Sequence, residues 1–218
     1  MQIVFLFYQG MTALDAVGPH EILSHLPGAL VKRAAQTQGA IHTDSGLVLQ
    51  ADIALAEVSS ADVLLIPGAG SATTLQQYPD ILEWIRVIHK STVWTTSVCT
   101  GSLILGAAGL LVGQNATTHW AAMDRLSTFG AAPITERVVE SGKIITAAGV
   151  SAGMDMALTL AAKLSGEKVA QTLQLAIEYD PMPPFGVGSP AKSDPNLVAG
   201  LRQRMVNKFE PLQAMRQL

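Results

Sequence analysis

The single cysteine of the chain stands in a pattern that is typical of a catalytic nucleophile. Cys99 lies in the segment Ser97–Gly101, between an apolar run that predicts a buried strand and a small-residue run that predicts a helix. Small residues two positions before and after the cysteine let the backbone turn sharply, as in a nucleophile elbow. The N–H groups at the start of the helix favour a thiolate, so the pattern predicts a reactive thiol with a lowered pKa. The alternative is a buried structural cysteine, which is common for a lone cysteine.

Two further segments with polar or glycine residues also follow predicted strands. Asp15 comes after the first strand, where its carboxyl group could orient or protonate a group at the sulfur; the alternative, more common for a lone aspartate, is that it caps the next helix. The segment 67–71 contains Gly70 and could aim backbone N–H groups at an anion, as an oxyanion hole requires, or form a simple tight turn. His119 is the histidine that we expect to approach a pocket. No spacing of histidine and cysteine residues predicts a metal site.

Alternating strands and helices must position these segments. Apolar runs predict strands over 3–7, 30–35, 63–66, 93–98 and 115–118. Helices are predicted over 15–25, 80–89, 101–111, 121–129, 151–164, 168–177 and 196–209. Hairpins are predicted around the turn 44–46 and between 137–140 and 144–147. The alternation predicts an α/β fold with a doubly wound, mostly parallel sheet and added β-hairpins, in one domain over residues 1–218. Ligands of such sheets bind beyond the carboxyl ends of the strands, which is where the candidate segments fall.

The composition excludes several classes of protein. Of the 218 residues, 49% are hydrophobic and 14% are charged, and the formal net charge is −3. Scarce charge excludes a disordered chain, and the lack of a basic surplus argues against nucleic-acid binding. The apolar stretch 98–112 is too short for a membrane span, and polar residues interrupt the stretch 144–164, so we expect no membrane association. The lone thiol and the lack of a signal-peptide pattern predict a cytoplasmic protein.

Four segments form a set of motifs: 14–19 (Leu-Asp-Ala-Val-Gly-Pro), 66–70 (Ile-Pro-Gly-Ala-Gly), 97–102 (Ser-Val-Cys-Thr-Gly-Ser) and 117–120 (Thr-Thr-His-Trp). In this order the set resembles the DJ-1/PfpI superfamily, and most closely its isonitrile hydratase (isocyanide hydratase) branch. The resemblance spans nearly the whole chain, and it implies the flavodoxin-like fold of that superfamily.

Two departures separate the chain from other branches that it resembles. Proteases, deglycases and glyoxalases of the PfpI type place a histidine directly after the cysteine, where this chain has Thr100, and the DJ-1 branch places a glutamate where Asp15 falls. Similar motifs occur in the sensor domains of AraC-type regulators, but the one helix predicted after residue 190 is too little for a helix-turn-helix domain. Glyoxalase or deglycase activity, and a non-enzymatic redox or ligand sensor, are the alternatives to isonitrile hydration.

The resemblance implies a lyase that hydrates isonitriles, R–N≡C, to N-substituted formamides without a cofactor. Cys99 would add to the terminal carbon and form a covalent thioimidate. Asp15 would hold the cysteine and relay protons, and the Thr100 hydroxyl would hydrogen-bond near the intermediate. The Gly70 amide would lend polarity to the site, and His119 would approach the same pocket.

Two kinds of partner follow from the resemblance. The first is a small isonitrile whose R group is held in an apolar pocket that we expect Val17, Trp120 and Val150 to line. The second is another copy of the chain, because superfamily members are commonly homodimers. The proline-rich arm and last helix, at about 180–218, could reach across to that second subunit. No nucleic acid is expected as a partner.

Overall fold

A seven-stranded sheet forms the centre of the fold. The computed structural model describes residues 1–70 and 78–209. In chain order the strands are β1 (Gln2–Leu6), β2 (Leu30–Ala35), β3 (Gly39–His42), β4 (Val48–Ala51), β5 (Ile53–Ala54), β6 (Val63–Ile66), β7 (Trp94–Val98), β8 (Asn115–Ala116), β9 (Ala132–Pro133), β10 (Val138–Ser141) and β11 (Ile144–Ala147). The large sheet has the order β10-β11-β7-β6-β1-β2-β5, and only β10 runs antiparallel to its neighbour. The predicted α/β fold with a mostly parallel sheet is confirmed.

The described helices follow the predicted ones closely. They are α1 (Ala13–Leu23), α2 (Pro79–Ser91), α3 (Gly101–Ala107), α4 (Met123–Leu126), α5 (Ala152–Ser165), α6 (Glu167–Ala176) and α7 (Pro195–Phe209). Helix α5 packs against both α1 and α6, while α2 contacts α3. None of the helices in the described ranges is long and apolar enough to cross a membrane.

Apolar periodicity explains why these elements assemble. All four residues of β6 are buried, as expected for a central strand of a parallel sheet that is covered on both faces. In α2, Ile81, Ile85 and Ile88 are buried at the spacing of one helix face. The positions of the apolar residues in the sequence therefore match the positions that are buried in β6 and α2.

Both predicted hairpins are present, since β3 pairs with β4 and β10 with β11 in antiparallel register. Two predicted helices are shorter or broken. Helix α3 ends at Ala107 because the Leu110 N–H donates to the Leu105 carbonyl, a bond that closes a helix. The predicted helix 121–129 divides into the 3₁₀ helix Trp120–Ala122, α4 and the 3₁₀ helix Ser127–Phe129.

The proline-rich arm lacks regular structure up to a short 3₁₀ helix at Pro190–Lys192, as its composition predicts. Helix α7 then packs on the 3₁₀ helix Trp120–Ala122 of its own domain. The arm and α7 therefore contact their own domain close to the segment that carries His119.

Candidate active site

Cys99 sits at the junction of β7 and α3 with a backbone conformation that is unusual for any residue except glycine. Its φ is +57°, in the left-handed region. Its N–H donates to the carbonyl oxygens of Ala147 and Ala148, at 3.1 and 2.9 Å. Its carbonyl oxygen accepts from the hydroxyls of Thr118, at 2.9 Å, and Ser102, at 3.3 Å. These bonds hold the strained turn in place, and the elbow predicted from the sequence is present.

The residues that follow the cysteine fix the elbow against the 67–70 loop. A Cβ atom on Gly101 would lie 2.2 Å from the carbonyl oxygen of Ile66, so only glycine allows this close approach. The buried Thr100 hydroxyl accepts from the Ala69 N–H and donates to the Ala69 carbonyl, both at 2.9 Å. In this structure the Thr100 hydroxyl therefore holds the loop.

Asp15 is a buried site residue, and the prediction that it caps α1 is wrong. The helix begins at Ala13, with Thr12 in the N-cap position, so Asp15 lies within the first turn. Its side chain is fully buried, and Oδ2 accepts the Gly68 N–H at 2.9 Å. A Cβ on Gly68 would lie 2.6 Å from the Thr100 nitrogen and 2.9 Å from Asp15 Oδ2. Glycine at position 68 thus lets the carboxyl group and the elbow meet.

Asp15 and Cys99 are electrostatically coupled. A hydrogen-bonding contact between the two side chains lowers the pKa of the carboxyl group and raises that of the thiol. The contact falls short of regular hydrogen-bond geometry, because Asp15 Oδ1 has no fully formed partner among the residues that the structure describes. The carboxyl group therefore contacts the Cys99 side chain while one of its oxygens keeps its capacity to accept a hydrogen bond.

Burial dominates the titration of the carboxyl group. Burial, together with the smaller effect of the Asp44 charge, raises the pKa of Asp15 from 3.8 to about 7, against the opposing effects of the Gly68 N–H and of the contact with Cys99. An acid with a pKa near 7 is populated in both protonation states at neutral pH, so it can accept and return a proton.

The expected lowering of the thiol pKa is wrong for this state of the protein. Burial, first, and then the negative charge of Asp15 raise the pKa of Cys99 well above its usual value. The N–H groups of Thr100 and Val150 act in the opposite direction, but they do not outweigh burial. The sulfur is therefore held as a neutral thiol, with two N–H donors placed to stabilise negative charge when the proton leaves.

The Gly70 N–H does not stand free. It donates to Asp44 Oδ2 at 3.3 Å, and the same oxygen accepts from the Thr12 hydroxyl. The three N–H groups of residues 68–70 are thus directed to Asp15, Thr100 and Asp44, respectively. Gly70 as an oxyanion donor stays a prediction, and Ser71 lies outside the described residues.

His119 lies beside the elbow but does not contact the sulfur by any described hydrogen bond. Its Nδ1 accepts the Ala121 N–H at 3.2 Å, which leaves the proton of the neutral ring on Nε2. Burial lowers the pKa of His119, so the ring is neutral at pH 7. Its ring also packs against Gly149, where a Cβ would lie 2.8 Å from Cδ2.

A cavity of about 400 Å³, named here the inner cavity, lies next to the elbow. Its lining includes Leu14, Thr118, His119, Trp120, Met123 and Val150. Two of the three residues predicted to line a pocket, Trp120 and Val150, are present, whereas Val17 is 41% exposed and does not line it. Cys99 and Asp15 lie directly behind residues of this lining. Asp15 follows Leu14 in sequence, and Cys99 is hydrogen-bonded to Thr118 and Val150. No described cluster of His, Cys, Asp and Glu side chains could hold a metal ion.

Three positions with clear structural roles were missed by sequence reasoning. The Thr118 hydroxyl binds the Cys99 carbonyl, the Val150 N–H faces the sulfur, and the Tyr8 hydroxyl donates to the Pro67 carbonyl at 2.8 Å. Thr118 and Pro67 stand in motifs that the sequence singled out, and Val150 was expected only to line a pocket, but Tyr8 carries no signal of its own.

The fold and the site define a class: an α/β protein with a doubly wound sheet and a cysteine at a strand–helix elbow beside a buried carboxyl group. The chain belongs to the DJ-1/PfpI family, whose sequence profile matches residues 1–163.

Individual relatives agree with this assignment. The chain is 41% identical over 204 residues to an isonitrile hydratase of Pseudomonas putida, covering 94% of this chain and 90% of that protein. It is 31% identical to the HTH-type transcriptional regulator CdhR of Pseudomonas aeruginosa, covering 61% of this chain but 40% of the regulator. A solved structure of a THiJ/PfpI family protein from Pseudomonas syringae superposes with a TM-score of 0.92 at 36% identity, covering 94% and 86% of the two chains.

The raised pKa of Asp15 predicts a pH-dependent effect of Asp15→Asn on stability. An unfolded aspartate titrates near 3.9, so the folded wild type binds this proton more tightly and loses stability as the pH rises from about 4 to about 7. The neutral amide has no such dependence. We expect Asp15→Asn to gain ~1–3 kcal/mol in unfolding free energy relative to wild type between pH 5 and pH 8. Urea unfolding at both pH values measures the difference, and a difference that does not change with pH would contradict the burial argument.

Proposed function

We propose that the protein hydrates isonitriles to N-substituted formamides through Cys99. The observation that carries the proposal is the buried pair of Cys99 and Asp15, in which a thiol and a carboxyl group with a pKa of about 7 face one another. The similarity to the Pseudomonas putida isonitrile hydratase supports the substrate class. The reaction adds water without a change of oxidation state, so it needs no redox cofactor, and the proposed mechanism uses only the protein's own residues.

The first step requires both a nucleophile and a proton at the same carbon atom. As the sulfur attacks the terminal carbon of R–N≡C, the Asp15 carboxylate takes the thiol proton. The new imidoyl carbon carries the negative charge, and Asp15 returns the proton to it, giving the thioimidate R–N=CH–S–Cys99. A carboxyl group that is populated in both states at neutral pH suits this transfer. The N–H groups of Thr100 and Val150 stabilise the sulfur while it carries charge.

The second step returns the enzyme to its starting state. Water adds to the thioimidate carbon, and its proton reaches the nitrogen through Asp15. The C–S bond then breaks, and the sulfur recovers a proton as R–NH–CHO leaves. In this scheme the Thr100 hydroxyl positions the 67–70 loop, and the Gly68 N–H of that loop positions the Asp15 carboxyl group. Gly70 and His119 are proposed to contact the polar end of the substrate, where the neutral His119 ring offers Nε2–H as a donor.

The direct test is formamide production from alkyl and aryl isonitriles, with methylglyoxal assayed beside them. We expect formamide from the wild type, none from Cys99→Ser or Cys99→Ala, and a mass increase on Cys99 equal to that of the isonitrile after rapid quenching. A serine hydroxyl is not ionised at neutral pH by a base as weak as Asp15, so the serine variant retains the fold without the chemistry.

Circular dichroism of both variants checks that the fold is unchanged. Consumption of methylglyoxal without formamide would favour the glyoxalase alternative. Inactivity toward both isonitriles and methylglyoxal would contradict the proposed hydration and favour the alternative of a redox or ligand sensor. Formamide production by Cys99→Ser at the wild-type rate would contradict covalent catalysis.

Asp15→Asn tests the proton relay. The amide keeps the shape and can still accept the Gly68 N–H, but it cannot carry the proton, so we expect kcat/KM to fall by roughly 10²–10⁴. The matched control is Asp62→Asn. Asp62 also accepts a backbone N–H, that of Gln2 at 2.6 Å, but it precedes β6 and so lies at the opposite end of the parallel strands from Cys99. A kcat/KM of Asp15→Asn equal to that of Asp62→Asn would contradict the role of Asp15 in proton transfer.

We also propose that residues 1–218 form one domain that acts as a cytoplasmic homodimer without a nucleic-acid partner. Two apolar residues of the arm support assembly, since Met182 is 92% exposed and Phe185 74% exposed. Light scattering at micromolar concentration is expected to give twice the 22.9 kDa of one chain. Phe185→Asp should lower this mass, whereas a wild-type mass of 22.9 kDa would contradict the dimer.

A further inference from the structure

A second cavity shares a wall with the inner cavity. This outer cavity, of about 160 Å³, lies between the arm and α7, and its apolar lining includes Val187, Leu197, Val198 and Leu201. Four residues line both cavities: Trp120, Gly188, Ser189 and Pro190. Because Trp120 is the largest side chain of this shared wall, its indole is the principal barrier between the two spaces.

The indole is held in place from the C-terminal helix. The Arg202 guanidinium lies 5.3 Å from the centre of the Trp120 ring, in a cation–π arrangement, and 3.6 Å from the Asp124 carboxylate. The His119 ring lies 5.6 Å from the indole on the side of the active site. The barrier is thus fixed between the candidate catalytic residues and α7.

The chemistry of the two cavities defines what they can take. The apolar part of the inner-cavity lining includes Leu14, Met123 and Val150. The lining also has two charged residues: Arg137 is already paired with Asp155, and Glu136 is exposed. A volume of about 400 Å³ is typical of sites for ligands well above a few heavy atoms. A short R group would leave much of this space unfilled and forfeit the contacts of its walls.

We propose that Trp120 determines substrate length, because the R group of an isonitrile held at Cys99 fills the inner cavity and ends at the indole that separates this cavity from the outer one. This inference rests on the proposed isonitrile hydration. With the isonitrile carbon at Cys99, the R group enters the inner cavity beside Thr118 and Val150, which contact Cys99 and also line the cavity, and it extends toward Trp120. Longer chains are excluded because the outer cavity, although apolar, lies behind the indole.

The test compares kcat/KM for a series of linear alkyl isonitriles in the wild type and in Trp120→Ala. In the wild type, kcat/KM should rise with each methylene and then fall steeply at one chain length. Trp120→Ala joins the two cavities, so the fall should move to longer chains. The ratio of kcat/KM for a chain beyond the wild-type limit to that for a short chain should increase by about tenfold or more. Trp120→Phe should give an intermediate limit, and it serves as the milder variant if alanine disrupts the fold.

Trp94→Ala is the matched control. The Trp94 ring also makes a cation–π contact, with Lys163 Nζ 5.2 Å from the ring centre. Trp94, however, is the first residue of β7 and lies at the opposite end of that strand from Cys99. It should leave the chain-length profile unchanged. An unchanged limit in both Trp120 variants, or an equal loss on every chain length, would overturn the assignment of Trp120 while leaving isonitrile hydration intact. Absence of formamide from any isonitrile in the wild type would instead overturn the proposed function, and this inference with it.

Discussion

The left-handed backbone of Cys99 is the constraint on which the site depends. A non-glycine residue in this region costs of the order of 1–3 kcal/mol and persists only where its surroundings fix it. Here the Cys99 N–H is bound by carbonyls at the end of β11, and its carbonyl by the hydroxyls of Thr118 and Ser102. The pairing of β11 with β7 is therefore part of the active-site geometry as well as of the sheet.

The 67–70 loop transmits that geometry to the other site residues. It follows β6, the neighbour of β7, and its N–H groups bind Asp15 and Thr100. A buried carboxyl group is costly unless hydrogen bonds compensate it. One such bond, from Gly68, leaves the pKa of Asp15 near neutrality instead of restoring its usual acidity. The incomplete compensation is what makes the carboxyl group suitable for proton transfer.

The inner cavity is assembled from parts of the chain that are far apart in sequence. Leu14 comes from α1, Val150 from the loop after β11, and residues 188–190 from the arm. Helix α7 completes the arrangement by placing Arg202 over Trp120. The C-terminal region thus contributes to the candidate site even though it follows the sheet that carries Cys99.

Local sequence patterns determine most of the secondary structure of this protein. Buried strands, helices, hairpins and the elbow at Cys99 could be predicted from the sequence because apolar periodicity and turn residues act over a few positions. Only the tertiary structure decided the environment of each group. The buried Asp15 carboxyl group is held by the N–H of Gly68, more than fifty residues away, and a cap and a buried acid look alike in sequence. The thiol pKa was mispredicted for the same reason: the N–H donors are local to the elbow, whereas the burial that outweighs them comes from the packed fold.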